Sequence, residues 1–596
     1  VSTRRTWLPL IIYLVHALLW VALLPPWQGP DEPGHYEYAR LLAQLQRPPQ
    51  RSDANPALQH QILVDLDRHA FWHRTHQPRP IPLPTRFQNV AFLARSGSQL
   101  GNETPLYYLV PAVVTYISSS PQVHLYLGRL WSVLLGAFVV LAAIRGSPYS
   151  GLAPEVREVL PWLVALLPMP TFIHAIYNSN VWADLVGAWF FVFSWRLLSA
   201  PQTASQSRWG SWVGFAGLAL ISLVTKRTTW LLFPLALWAF YLMPVRRLRR
   251  YRPLLPLSVL LGLFLLLLFP TVPSRATGWI QGREQNPAPR VPRPGNIRDH
   301  ALLLIGRGTP RERPFLAQDI TGSRLTLLRG KRVRFRVDIR SLDRQPRTCI
   351  SIADARGRST TCGRAGAQWR SWTLERTVSP RTSFVRVVIG LGYPHHPGES
   401  GILLVDHARL DVLPVQNNVL LNGDAEMPLN RIRHLVKGTG WAGAGPQSGP
   451  ERLQHLLLAG AILFTSFWGN FGWLQYPLPL PIYILLALVS AVALVGAVKR
   501  VFTCHKGASA KRVWWFHLGS GTAYIALNLL SALQTNWYPQ GRYLFPALLP
   551  LLALGLLGLE ESGLLSGPRR SRKRLLILGA LALSLTAFAV VLKGMY

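Results

Sequence analysis

Charge is scarce in this chain, and acid is scarcer still. Only 15% of its 596 residues are charged, and 63 Lys and Arg stand against 26 Asp and Glu, a formal net charge of +37. A soluble chain of this length would fold as roughly three or four domains with charged surfaces. Here 49% of residues are hydrophobic and mean hydropathy is positive. The apolar residues fall in blocks of roughly twenty, the length that carries a helix across ~30 Å of hydrocarbon. Period-two alternation and amphipathic striping, the marks of soluble elements, are weak in most blocks. A helix satisfies its own backbone in lipid, so a polytopic membrane protein is implied. The basic excess does not point to nucleic acid, because it forms neither one face nor a tail. It sits in short runs between apolar blocks, such as Arg246, Arg247, Arg249 and Arg250, or Arg569, Arg570, Arg572, Lys573 and Arg574.

A cleavable leader is also lacking. Trp7–Pro26 is long for a signal core and no small-residue cleavage pattern follows it. It reads as a first span, with Arg4 and Arg5 holding the N-terminus inside. Val at position 1 fits either a bacterial alternative start codon or a shortened chain.

Loop charges orient the remaining spans. A long polar segment follows span one (the first outer loop, 27–122), and the next strong span is Val123–Ile144. Val159–Ala175, Trp182–Leu198, Trp212–Val224, Thr229–Met243 and Leu254–Pro270 follow, closing an N-terminal membrane block at 1–270. Leu480–Val498, Trp514–Leu533, Leu544–Leu559 and Leu575–Val591 form a C-terminal block within 453–596. About eleven spans result, with every inter-span arginine cluster on the cytoplasmic side. Leu106–Ser118 and Leu456–Trp468 fall short of the ~17 residues needed to cross. They read as interfacial or re-entrant helices on the outer face, with two extra short spans as the alternative.

Residues 271–452 are different material. Leu325–Ile339 alternates apolar and basic residues, and Ile350–Ala353, Trp372–Thr377, Phe384–Leu391 and Ile402–Leu413 continue the series. Short strands separated by Gly, Pro and Ser predict a β-sandwich, placed by the loop charges on the periplasmic side. Cysteine is rare, with three in all. Cys349 and Cys362 flank one apparent hairpin on the oxidising side and are expected to form a disulfide, whereas Cys504 lies in a cytoplasmic loop.

Polar residues beside the outer ends of spans carry the chemical information. Pro30-Asp31-Glu32-Pro33-Gly34-His35 follows span one. Its carboxylates suit a general base or oxygen ligands to a divalent metal; equally, Asp31 could cap a helix running through Tyr38. Asn178-Ser179-Asn180-Val181-Trp182-Ala183-Asp184 lies on the same face, where Asp184 could cap the fourth span. Lys226 and Arg227 break the positive-inside trend and call for an anion such as a lipid phosphate. Tyr538-Pro539-Gln540-Gly541-Arg542-Tyr543 places Arg542 at the mouth of span ten, with interfacial anchoring as the plainer role. Four such motifs on one face point to an outward-facing polar cavity.

Asp31-Glu32…His35, Pro105-Leu106-Tyr107-Tyr108, Phe467-Trp468-Gly469-Asn470-Phe471-Gly472-Trp473 and Gln540-Gly541-Arg542-Tyr543, in that order, resemble a family of uncharacterised bacterial membrane proteins. That family is usually placed in the GT-C superfamily of membrane glycosyltransferases. The resemblance implies a multi-pass enzyme of the bacterial inner membrane that uses a polyprenyl-phosphate-linked sugar donor. It also implies a periplasmic reaction with inversion and a glycan or lipid-linked acceptor. It maps the catalytic acids to Asp31, with Glu32 as the neighbouring alternative, and to Asp184. It maps the donor phosphate to Lys226 and Arg542, with Arg227 beside them. His35, Tyr107, Tyr108, Asn180, Gln540 and Tyr543 become candidate substrate contacts. A Mg or Mn ion bridging Asp31 or Asp184 to the phosphate is compatible with these residues, although no ligand spacing calls for it. Within the insert, Trp369–Leu413 looks like a carbohydrate-binding jelly roll. Asn418–Glu426 resembles the opening of such modules but follows the last strand, which leaves the module's boundaries open. Trp369, Trp372 and Tyr393 are its aromatic candidates, with core packing expected for the tryptophans.

A transporter or flippase of lipid-linked glycans is the competing class, with the same cations guiding phosphates. Internal repeats and mid-span interruptions, common in transporters, are not evident. A glycan receptor would need a signalling domain that the cytoplasmic loops do not provide.

Overall fold

The computed structural model describes residues 7–50, 53–87, 90, 93, 100, 103–118, 120–199, 209–243, 271–282, 286–294, 296–307, 314–320, 323–343, 345–382, 384–392, 399–414, 417–420, 422–426, 428–430, 449–503, 507–533, 538–564 and 569–595. The expected span Leu254–Pro270, the cluster Arg246–Arg250, Cys504 and Tyr393 lie outside the described residues.

Helices dominate both ends of the chain. Five are long and apolar enough to cross a bilayer: 121–149, Asn180–Leu198, Leu480–Thr503, 541–561 and 573–595. The count becomes six if 154–166 and 168–174 form one broken span. A helical membrane architecture is therefore present, but among the described residues the length criterion is met by five or six helices, not eleven. The shortfall has local causes. Leu8–Leu23 has 16 residues, about 24 Å of helix, and Leu232–Leu242 has 11. The expected span Val159–Ala175 bends by 52° between Leu166 and Pro168, because a proline inside a helix removes a donor and clashes with the preceding turn. Conversely, the stretch expected at Leu456–Trp468 belongs to a 20-residue helix, Gly449–Trp468.

Peripheral and central helices separate by exposure. Leu480–Thr503 turns Leu485, Leu488 and Val495 outward, as a lipid-facing helix does. Asn180–Leu198 is mostly buried, packed by the Pro121–Gly146 helix and the Gly541–Ala547 3-10 segment.

The insert is an antiparallel β-sandwich. Its strands are β1 (Thr271–Gln281), β2 (Asn286–Arg293), β3 (Asn296–Arg307), β4 (Phe315–Ile320), β5 (Arg332–Ser341), β6 (Arg347–Asp354), β7 (Gly357–Arg364), β8 (Arg370–Thr377), β9 (Val385–Leu391), β10 (Ser400–Val412), β11 (Asn417–Asn418) and β12 (Pro428–Asn430). The hydrogen-bonded path runs β7-β6-β9-β4-β1-β2-β3-β10-β5-β8. Ile350 and Val387, near one end of that path, share a core with Phe335 and Leu410 near the other, so the path folds back into two layers. Along β5, Val333, Phe335, Val337 and Ile339 are all buried, the period-two pattern of a one-faced strand. The segment before it differs from expectation: Ser323–Thr326 is a helical turn. Cys349 and Cys362 face each other across β6 and β7 and are bonded.

The Asn418–Glu426 segment is integral to this domain. Trp279 Nε1 donates to the Asn422 carbonyl and Arg290 Nε to that of Ala425. β12 then pairs with β1. A Cβ at Gly423 would lie 1.8 Å from the Ala408 carbonyl oxygen, so only glycine fits there. Trp369 and Trp372 are half-buried; Trp369 carries the Arg293 guanidinium over its ring.

Candidate functional site

The turn after the first helix is built around Glu32. This carboxylate is fully buried and accepts from Arg129 Nε at 2.8 Å and Nη2 at 2.9 Å. It also takes the backbone N–H groups of Gly29 and Tyr177, both at 3.1 Å. A Cβ on Gly29 would come within 2.5 Å of the Glu32 carboxyl carbon, so the chain can wrap the carboxylate only with glycine at that position. Arg129 satisfies its remaining donors on the Leu24 and Pro25 carbonyls. Glu32 thereby anchors the loop to the Pro121–Gly146 helix, with both carboxylate oxygens engaged.

This anchor presents Asp31. Asp31 precedes the helix Glu32–Leu45 with φ +66° and makes no side-chain capping bond, which sets aside the capping role. Left-handed backbone at a non-glycine residue costs of order 1 kcal/mol and is found at functional sites. The Asp31 carboxylate accepts instead from Arg542 Nη2 at 2.8 Å.

Arg542 is delivered by close packing within the C-terminal membrane block. A Cβ at Gly541 would lie 2.1 Å from the Phe467 backbone nitrogen, and Gly541 N donates to Ser466 Oγ. The Phe467–Trp473 and Gln540–Tyr543 motifs are thus in direct contact. The same region is tied to the first loop by Trp473 Nε1 on the Trp27 carbonyl and Tyr476 Oη on that of Arg74. The Arg542 guanidinium is only 6% exposed, yet Nε and Nη1 have no hydrogen-bond partner among the described residues.

A second cation stands nearby. Lys226 precedes the 3-10 turn Arg227–Thr229 and reaches Glu103 Oε1 at 3.0 Å and Ser179 Oγ at 2.9 Å. Ser179 Oγ in turn donates to Glu103 Oε2 at 2.9 Å. His35 joins the two halves: its Nδ1 lies 2.5 Å from Tyr108 Oη. Burial, together with Lys226 and Arg542, holds its imidazole well below the usual range, so it is neutral at neutral pH. Tyr38 stacks on Tyr108 at 4.0 Å and donates to the Glu103 carbonyl. Tyr543 is half-buried and within electrostatic reach of Asp31, Arg542 and Glu103.

Asp31, His35, Tyr108, Lys226, Arg542 and Tyr543 therefore gather in one region. The other sequence candidates border this region or have partners of their own. Asp184 is the fifth residue of its helix, so it does not cap it. It is buried and paired with His174 Nε2 at 3.2 Å, because a carboxylate that deep needs a partner. Arg227 is exposed. Asn180 is buried, its backbone N–H held by Asn178. Tyr107 Oη bonds Ser132 inside the bundle. Gln540 precedes the Gly541–Ala547 segment without capping it. A metal fits this donor set poorly: Asp31 and Asp184 each spend an oxygen on a separate partner. Among the described residues no three His, Cys, Asp or Glu side chains converge on a metal position.

Two participants were missed in the sequence. Arg129 was signalled by a lone arginine inside an apolar span, which demands a partner. Glu103 was signalled only by being an acid two residues before the Pro105–Tyr108 motif.

Fold and site together define a helical membrane protein with an inserted β-sandwich and a partly buried cluster of paired acids and cations. A family model described as a predicted membrane protein (DUF2142) matches residues 14–286. No curated protein matches the chain. Among solved structures, the S. cerevisiae protein O-mannosyltransferase Pmt1-Pmt2 complex bound to the sugar donor aligns over 100% of this chain and 91% of that one, at 12% identity and TM-score 0.44. TmCBM61, in complex with beta-1,4-galactotriose, aligns over 24% of this chain and 94% of its own, at 11% identity and TM-score 0.18. A CBM4 structure aligns over 20% and 92%, at 13% identity and TM-score 0.14.

Proposed function

We propose that the protein is a membrane glycosyltransferase that moves a sugar from a polyprenyl-phosphate-linked donor to a glycan or lipid-linked acceptor on the outer face of the membrane. The observation that carries this reading is Arg542. A buried guanidinium with two unpartnered donors has paid for desolvation without full compensation. A phosphate oxygen can accept from either of these donors, a charge-assisted hydrogen bond of the stronger kind. A phosphate oxygen at either donor would leave the Nη2–Asp31 bond in place, so an anion and the carboxylate can share one guanidinium.

In the reaction, an acceptor hydroxyl oxygen forms a bond to the anomeric carbon while the bond from that carbon to the donor phosphate oxygen breaks. The electron pair leaves with the phosphate, where Arg542 and Lys226 stabilise the growing charge, a large contribution where water is scarce. Asp31 takes the hydroxyl proton. Attack opposite the leaving phosphate inverts the anomeric centre. No step here is routed through a metal. Mass spectrometry of lipid-linked sugars from cells with and without the gene tests the reading: one polyprenyl-phosphate sugar should accumulate in its absence. Unchanged pools of every such lipid would refute it.

A further inference from the structure

The Lys226 ammonium carries three donors, and two have fixed partners, Glu103 Oε1 at 3.0 Å and Ser179 Oγ at 2.9 Å. Ser179 passes its own proton to Glu103 Oε2 at 2.9 Å, so the three side chains close a ring. The backbone reinforces it. Thr104 Oγ1 donates to the Thr225 carbonyl at 2.6 Å, which ties residues 103–104 to residues 225–226 twice. On the other side, Thr229 Oγ1 accepts the Lys226 N–H and donates to the Ser222 carbonyl. The side chains of Lys226 and Glu103 are 17% and 14% exposed, open enough for a ligand and buried enough to weaken screening by salt.

A lysine with a flexible stem ordinarily points its charge in many directions. Among the described residues one N–H is left over, and its direction is fixed by the other two. We propose that Glu103 is a positioning residue for phosphate binding: it aims the remaining Lys226 donor at the donor lipid's phosphate. The assignment rests on the proposed function and adds a residue that the motif resemblance does not contain. It makes Glu103 essential through Lys226, not through contact with the sugar or its acceptor.

The test is a double-mutant cycle on binding of geranyl phosphate to the full chain in lipid nanodiscs. Glu103→Ala should weaken binding about tenfold, the size of one charge-assisted hydrogen bond. In a Lys226→Ala background the same change should have no further effect. Glu103→Gln keeps an oxygen for Lys226 and should recover part of the loss, which guards against a variant that merely folds poorly. Equal losses with and without Lys226 would overturn the proposal, because Glu103 would then act elsewhere. If Lys226→Ala leaves binding unchanged, the phosphate reading itself fails and this assignment falls with it.

Discussion

Arg542 and Asp31, 511 residues apart in sequence, meet at 2.8 Å where the two membrane blocks touch. Their bond joins an element of the C-terminal block to the first loop, so an intact site requires both blocks to be correctly packed. The pairing also sets the Asp31 carboxylate beside two idle guanidinium donors. That juxtaposition of a proton acceptor and an anion site is the core of the functional reading.

Replacing Arg542 by lysine should therefore be costly although charge is retained. Lysine can hold Asp31 but has no rigid guanidinium to hold further donors in fixed directions. Affinity for a polyprenyl phosphate, measured by calorimetry or fluorescence, should fall at least ~10-fold. Unchanged affinity would mean that Nε and Nη1 do not face the ligand.

The Glu32–Arg129 pair predicts a different outcome. Breaking a buried ion pair strands the remaining charge and typically costs about 3–5 kcal/mol. Arg129→Ala should lower the thermal unfolding midpoint sharply and reduce the yield of folded protein. Asp31→Asn, which keeps an acceptor for Arg542, should leave both nearly unchanged. Comparable midpoints for the two variants would contradict the division between anchor and reacting group.

Stability should also respond to pH through Glu37, which is buried on the first loop. Gln59 Nε2 donates to its Oε1 at 2.7 Å, while burial pushes its carboxyl up to about 8. The folded protein therefore holds a proton that the unfolded chain releases at about 4.5. This contribution is full below about 4.5 and is lost as pH rises to about 8. Glu37→Gln mimics the protonated form and should flatten this part of the curve. The unfolding midpoint, followed across that range for both proteins, decides the matter, and identical slopes would show that Glu37 does not govern it.

Sequence reading reached the helical membrane blocks, the β-insert and several charged residues that meet in one region, for identifiable reasons. The β5 alternation of Val333, Phe335, Val337 and Ile339 was legible because one face of that strand is fully buried. β2 was not, because Pro287, Pro289 and Pro292 break the usual strand pattern. Asp31, Lys226 and Arg542 could be picked out as charges near span ends. Their pairing partners could not, because Arg542–Asp31 and Lys226–Glu103 are long-range contacts that no local spacing encodes. Asp184 shows the same limit. Its position near the start of a span suggested an open site, while its partner His174 comes from the helix beyond the 52° bend.

The central claim is that Asp31 takes the acceptor's proton, and one measurement addresses it most directly: turnover of Asp31→Asn in purified protein, with geranyl phosphate binding measured on the same sample. Asparagine preserves the shape and can still accept from Arg542, but it cannot take a proton at neutral pH. Turnover should fall at least ~100-fold, while binding of the phosphate and the unfolding midpoint stay close to those of the unaltered protein. Near-normal turnover in Asp31→Asn would contradict the account, and the Asp31–Arg542 pair would then be a structural clasp between the two membrane blocks.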